Sequence, residues 1–416
     1  MICGAVAVLV VAGCASPAKS PSPAPTTAAS RACSAQPPGC GSGQGTLASL
    51  AGFTWSAAPA PPLSPRSGQA SVWTGTGLLI WGGVNGRGQE ADDGAAYDPV
   101  TRAWTPMPAS PLSPRDGAFA VWTGSRALFW GGGTGNLSLL MNGASYDPAS
   151  RTWTMLPAAP LPAGIDGLQA IVWTGTQMVV IQPGAGAAFD PATRSWATVP
   201  ALPGVIGWQP YAIGAEWAGR EVIAWVASRP PAVNGITASG YRFSAYSWLP
   251  GDRAWTSLPG ELPGTPQGQQ DDGFPFGTAA AIGGRLLFLG GTSCPPGVSC
   301  PAQDFFDGAW FGPSSGTWTF LPETFSGGSG PAVWTGSAMV VFATTAGASP
   351  GPPAGAAAAF APPTGGWTDL ARCPVPDLTN ASLAWTGRQL IVVTMDDESG
   401  DSPQTEVLSS PDRDSK

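Results

Sequence analysis

Histidine is absent from all 416 residues, and lysine occurs only as Lys19 and Lys416. The first absence removes together the commonest metal ligand and the commonest general base. The second, with a net charge of -8, argues against nucleic acid, whose phosphates are neutralised by Lys and Arg. Charged residues make up only 11% of the chain, and no basic stripe gathers the arginines. No apolar run approaches the roughly 20 residues a helix needs to cross a bilayer. What the chain has instead is 58 Gly, 46 Pro and 19 Trp. Gly and Pro are the two worst residues for a helix interior, so the composition favours short strands joined by turns.

The N-terminus carries an apolar run from Ala5 to Ala12 that ends in Val11-Ala12-Gly13-Cys14. This resembles a bacterial lipobox, although no Lys or Arg precedes the run. The resemblance implies a signal peptide over residues 1–13 and acylation of Cys14, which would hold the mature chain on a membrane. Residues 14–50 follow as a tether of Pro, Ser and Ala with almost no large apolar side chain, too little to drive folding. Of the seven cysteines, Cys294 and Cys300 sit six apart in GTSCPPGVSC and are expected to close a small disulfide outside the cytoplasm. Cys33, Cys40 and Cys373 leave one pair and one free thiol, with the pairing open. No His and no second Cys pair completes a metal site around them.

The octapeptide YDPVTRAW at Tyr97–Trp104 returns 49 residues later as YDPASRTW at Tyr146–Trp153. It belongs to a ladder in which an aromatic stands seven before a Trp: Tyr97/Trp104, Tyr146/Trp153, Phe189/Trp196, Trp248/Trp255, Phe311/Trp318 and Phe360/Trp367. Trp55 opens the ordered region without such a forerunner. A second ladder follows VWTG or its relatives at Trp73, Trp122, Trp173, Trp217, Ile282, Trp334 and Trp385, at intervals of 44 to 65 residues. Periods near 50 with these signals point to propeller blades. Within one unit, GQASVWTG, GLLIWGG, AAYDP and AWTPMP read as four successive strands, and Asp-Pro-x-x-Arg as the turn before the fourth.

The Gly pairs (Gly82-Gly83, Gly131-Gly132, Gly290-Gly291), the aromatic before Asp-Pro and the Trp seven later resemble the kelch repeat of β-propellers, over about residues 51–410. Blades one and two match closely and the later ones drift. The resemblance implies an all-β, seven-bladed propeller of four-stranded blades. Trp55 precedes Trp73 by 18 residues, as Trp104 precedes Trp122, so Trp55 reads as the fourth strand of a blade whose other three strands lie between Ser382 and about Ser410. The N-terminal strand then completes the C-terminal blade, closing the ring, and residues 411–416 form a tail. The last stretch, TEVLSSPDRDSK, carries no aromatic and is a poor third strand. Each ladder Trp is expected to pack with its aromatic partner between blades rather than to serve as an exposed platform for sugars.

Ligands of propellers bind at the mouth of the channel, on loops joining the fourth strand of one blade to the first of the next. Here those loops carry Arg66, Arg115, Asp116, Asp166, Asp271 and Asp272. Converging Arg and Asp can clamp a polar ligand. A plainer reading makes Asp-Gly a strand-starting turn and has each Arg cap neighbouring carbonyls. Tyr241, Arg242, Tyr246 and Arg253, in the long interval between Trp217 and Ile282, are candidates for a cap over one face. A galactose oxidase-like copper site needs histidines that this chain lacks. A sialidase-like site needs three Arg with a Tyr nucleophile, and only five Tyr are present. The expectation is a lipid-anchored extracytoplasmic module, monomeric and without metal or cofactor, that binds a protein or glycan. The alternative is a metal-independent carbohydrate-active enzyme, epimerase- or mutarotase-like, using rim Arg and carboxylates.

Overall fold

A computed structural model describes residues 50, 52–134, 138–162, 168–204, 209–229, 242–259, 278–289, 292–293, 303–304, 308–321, 331–343, 355–362, 365–375, 378, 380–395 and 402–410. The described residues contain no α-helix and form seven four-stranded antiparallel sheets. The fold class is the all-β, seven-bladed β-propeller that the two ladders predict. The chain divides into two compact units. One takes in the described residues within Ala158–Glu323, the other those within Pro25–Pro157 and Thr324–Lys416.

The second unit holds four blades. Blade 1 runs Ala70–Trp73, Leu78–Trp81, Gly94–Asp98 and Ala103–Pro106. Blade 2 occupies strands within 119–155 and blade 6 strands within 332–370. Blade 7 is built from both ends of the chain, with Ser382–Trp385, Gln389–Thr394 and Gln404–Ser409 completed by Thr54–Ala58. Trp55 stands opposite Leu408, which stands opposite Leu390. All of Gln404–Ser409 pairs with Gln389–Thr394 and Thr405–Ser409 pairs with the N-terminal strand, so the stretch without an aromatic is a full third strand. First strands of successive blades adjoin, blade 6 on 7, 7 on 1 and 1 on 2. The other unit holds blades 3, 4 and 5, with strands within 170–199, 209–257 and 278–320, again with adjoining first strands.

The aromatic ladder is a column of cross-strand pairs. Tyr97 faces Trp104 and Tyr146 faces Trp153, with ring centroids 5.1 and 4.9 Å apart. Phe189/Trp196, Phe311/Trp318 and Phe360/Trp367 repeat the contact at 5.1, 4.8 and 5.1 Å, and Trp248/Trp255 at 5.9 Å. The third-strand partners are buried throughout, whereas the fourth-strand Trp side chains are mostly half-buried at the outer edge. Four of the indole N–H groups reach back to the preceding blade. Trp104 donates to Pro59 O (2.9 Å), Trp153 to Pro108 O (3.0 Å), Trp255 to Pro200 O (2.8 Å) and Trp55 to Ala371 O (2.8 Å). Each acceptor lies just beyond the fourth strand of the neighbour, so ring and N–H together tie blade to blade.

The Asp-Pro-x-x-Arg turn repeats in atomic detail. Asp98 Oδ1 accepts from the amides of Val100 (2.8 Å) and Thr101 (3.4 Å), and Asp147 and Asp190 do the same in blades 2 and 3. These bonds lower the pKa of Asp98 and Asp147 against the opposing effect of burial. The Arg that ends the turn is left-handed, with φ of 53° at Arg102, 55° at Arg151 and 54° at Arg194, where blades 5 and 6 use Gly316 and Gly365. A side chain in that conformation costs about 1–2 kcal/mol. In blades 1 and 2 the guanidinium offsets the cost by bridging backwards, from Arg102 Nη2 to Ala57 O (2.6 Å) and from Arg151 Nη2 to Pro106 O (2.8 Å).

Candidate functional site

The end of the second unit where fourth strands lead into first strands is built on the repeated sequence Ser-Pro-Arg. Arg66 and Arg115 are buried at 2% and 0% exposure. Arg66 Nε donates to Ser64 O (2.9 Å), Nη2 to Ser64 Oγ (2.8 Å) and Nη1 to Gly82 O (3.3 Å), and the guanidinium also pairs with Asp93 (2.5 Å). Arg115 repeats the frame one blade on: Nε to Ser113 O (2.9 Å), Nη2 to Ser113 Oγ (3.0 Å) and Nη1 to Gly131 O (3.1 Å). Where blade 1 has Asp93, blade 2 has Asn142, whose Oδ1 accepts from Nη1 at 2.8 Å. Buried without a carboxylate partner, Arg115 has its pKa pulled down to about 10.

Both guanidinium groups therefore fasten the entry loop to the Gly pair that ends the second strand. The glycines are required there. Gly83 and Gly132 have φ of 108° and 85°, and a Cβ would stand 2.7 Å from Ser67 O in the first case and 2.5 Å from Asp116 O in the second. The loop backbones are stitched as well, with Gly83 N donating to Arg115 O (2.8 Å) and Arg115 N to Ala91 O (3.1 Å).

Asp116 exchanges both backbone bonds with Gly133 and is partly buried. Burial raises its pKa, and the nearby charge of Glu90 raises it further. Asp116 and Glu90 are thus two carboxylates in one rim segment. Asp166, Asp271 and Asp272 lie outside the described residues, as do Cys14, Cys33, Cys40, Cys294 and Cys300. Cys373 is a free, buried thiol whose pKa burial pushes up to about 12. Of the residues read as a cap, Tyr246 is a buried third-strand residue of blade 4 and Arg253 sits on the turn that follows; Tyr241 lies outside the described residues. Among the described residues no group of three or more Cys, Asp or Glu side chains is placed to hold a metal.

Sequence reasoning did not single out Gln69, Asn380 and Ser382. Gln69, 5% exposed, stands immediately before the first strand of blade 1. Its Nε2 donates to Asn380 O (2.7 Å) and Ser382 Oγ (3.3 Å) at the start of blade 7's first strand. This leaves Gln69 Oε1 and Asn380 Oδ1 with no hydrogen-bond partner among the described residues. In the other unit Gln169 occupies the same place, four residues before the first-strand Trp, and its Oε1 is also unpartnered. The available signal was Gln recurring at that offset in QASVW and QAIVW.

No protein-family model matches the chain, and no curated protein matches it in sequence. Among solved structures it is similar to one described as "Structure of YjhT", with 19% identity and a TM-score of 0.43, over 64% of this chain and 87% of that one.

Proposed function

We propose that this chain is a kelch-like binding or scaffolding module for a glycan or protein, held outside the cytoplasm by a lipid on Cys14. The observation that carries the reading is the division of labour at the fourth-to-first end. The two arginines that would clamp an anion are spent on carbonyls and on Asp93 or Asn142, while the neutral amide oxygens of Gln69 and Asn380 remain unspent. Acceptors without charge suit donors such as sugar hydroxyls or backbone N–H groups. A buried polar group left unpaired costs about 1–3 kcal/mol, which a ligand donor would recover.

One observation favours the alternative of a metal-independent carbohydrate-active enzyme. Burial, with the nearby charge of Glu90, holds Asp116 toward its protonated form, and a carboxyl so held can serve as an acid. A glycan array probed with protein lacking residues 1–45 separates the readings. Capture that Asn380→Leu weakens and Asp116→Asn leaves intact supports the binding module. Turnover of a captured sugar that Asp116→Asn abolishes supports the enzyme. An array and a protein pull-down that both stay empty refute the module.

A further inference from the structure

Blade 7 breaks the repeat at one buried position. Two residues before the third-strand aromatic, and facing the residue two after the fourth-strand Trp, blades 1, 2, 3, 5 and 6 carry Ala95, Ala144, Ala187, Ala309 and Ala358. Blade 4 carries Tyr246. Blade 7 carries Glu406, opposite Ala57 of the N-terminal strand. The alanines are 0–1% exposed, and Glu406 is only 7% exposed. Among the described residues its carboxyl has no hydrogen bond and no ion pair.

We infer that Glu406 is a pH-responsive latch on the blade made from both chain ends, seating quietly in the seam when protonated and loosening the N-terminal strand when ionised. The seam is a closed one. Leu408, two residues along the same strand, packs in the apolar cluster shared by blades 6 and 7, together with Cys373 and Leu370. Trp55 bonds across it to Ala371 O. Among the described residues the N-terminal strand is supported by the guanidinium of Arg102 of blade 1, which bonds to Ala57 O and to Ser56 Oγ and lies close enough to Glu406 to favour its charged form. The other titratable group beside the carboxyl is the Cys373 thiol. Asp369 and Arg372 are the charged residues of the adjoining blade 6 segment, and Thr54–Ala58 and the rest of Gln404–Ser409 carry none.

Burial outweighs Arg102, so the carboxyl holds its proton to higher pH in the closed blade than in an opened one. The sign follows. Closure is strongest below the ordinary glutamate value of about 4.3 and weakens as pH rises through the closed-state titration. Above that it levels off. Each unit separating the two titrations is about a tenfold change in the opening constant.

The test is hydrogen exchange of the amides of residues 54–58 in the full chain, corrected for intrinsic rates, from pH 4 to 8. The outer strand Thr152–Met155 of blade 2, where Ala144 replaces the glutamate, serves as internal reference. The wild-type opening constant at residues 54–58 is expected to rise with pH and then plateau, while the reference strand stays flat. In Glu406→Gln and Glu406→Ala the rise should vanish and protection should stay near the acid value. Equal pH dependence of the two strands in the wild type overturns the inference, and needs no variant to fold. So does a rise that survives in Glu406→Gln.

Discussion

Replacing Trp153 tests whether the recurring indoles join blades or present a surface to ligands. Trp153 stacks on Tyr146 (4.9 Å) and Phe129 (5.2 Å) of its own blade and on Trp81 (6.0 Å) of blade 1, and its N–H reaches Pro108 O at 3.0 Å. An aromatic side chain of this size hides about 150–250 Å² when fully buried. A half-buried one therefore contributes roughly 2–3 kcal/mol at about 25 cal/mol/Å². Each ring–ring contact adds on the order of 0.5–1.5 kcal/mol beyond area, and the hydrogen bond about 1. Contacts shared by one side chain do not add in full, and Trp153→Ala should cost about 3–5 kcal/mol, the usual range for truncating a packed Trp. Trp153→Phe keeps the stack and loses the N–H, so it should cost only about 1 kcal/mol. Urea unfolding followed by far-ultraviolet circular dichroism reads both. A Trp153→Ala loss below about 1 kcal/mol, coupled to lost capture on the glycan array, would refute the structural role.

Blades 1 and 2 supply a charge-swap experiment. Asn142→Asp gives Arg115 the carboxylate that Arg66 finds in Asp93, and is expected to stabilise by about 1 kcal/mol, since it turns an ion–dipole bond into an ion pair while solvent at the exposed Asn142 limits the gain. The gain should shrink as salt is raised, and a neutral or destabilising result at low salt would contradict the assignment of Arg115. Cys373, with its pKa near 12, should stay unalkylated by iodoacetamide at pH 8 in the native protein and react once urea is added, as read by peptide mass spectrometry. Prompt native labelling would place the thiol in solvent.

The fold was legible because its signals are local and obligatory. Tyr97 and Trp104 sit seven apart because a strand end, a four-residue Asp-capped turn and a strand start must intervene between cross-strand neighbours. Gly83 and Gly132 are legible for a similar reason: the backbone of the entry loop comes too close for any side chain. Strand pairing between the two chain ends followed from counting, because Trp55 keeps the interval to the next first-strand Trp that Trp104 keeps. The entry loops were less transparent. Arg66 and Arg115 advertise charge, but their partners Asp93 and Asn142 lie 27 residues on in loops of differing composition, and burial cannot be read from a loop sequence. The small hairpins Gly133–Thr134/Ser138–Leu139 and Thr292–Ser293/Gln303–Asp304 lack any repeated pattern to betray them. Leu408 made the third strand of blade 7 look poor because an aliphatic residue fills the aromatic's place.

The same contrast tells where function resides. A residue type that recurs at one position in most blades answers a need that every blade has, such as a cross-strand stack, a capped turn or a glycine under a close backbone. Ligand recognition breaks the symmetry, because a single ligand meets each blade at a different angle and needs different groups from each. Trp104 and Trp153 therefore belong to the frame despite their surface position, and Arg66 and Arg115, though they recur in two blades only, join it because their guanidinium groups are taken up by the frame's own carbonyls. The unrepeated polar residues carry the individuality of the molecule. Asn380 breaks the pattern at the entry to the first strands, where Gln69 and Gln169 recur, Asp116 with Glu90 at the rim, and Glu406 in the seam where the chain ends meet. Substituting the frame should cost stability wherever it is tried, whereas substituting these departures should change what the protein binds, or the pH at which it holds closed, and leave the blades standing.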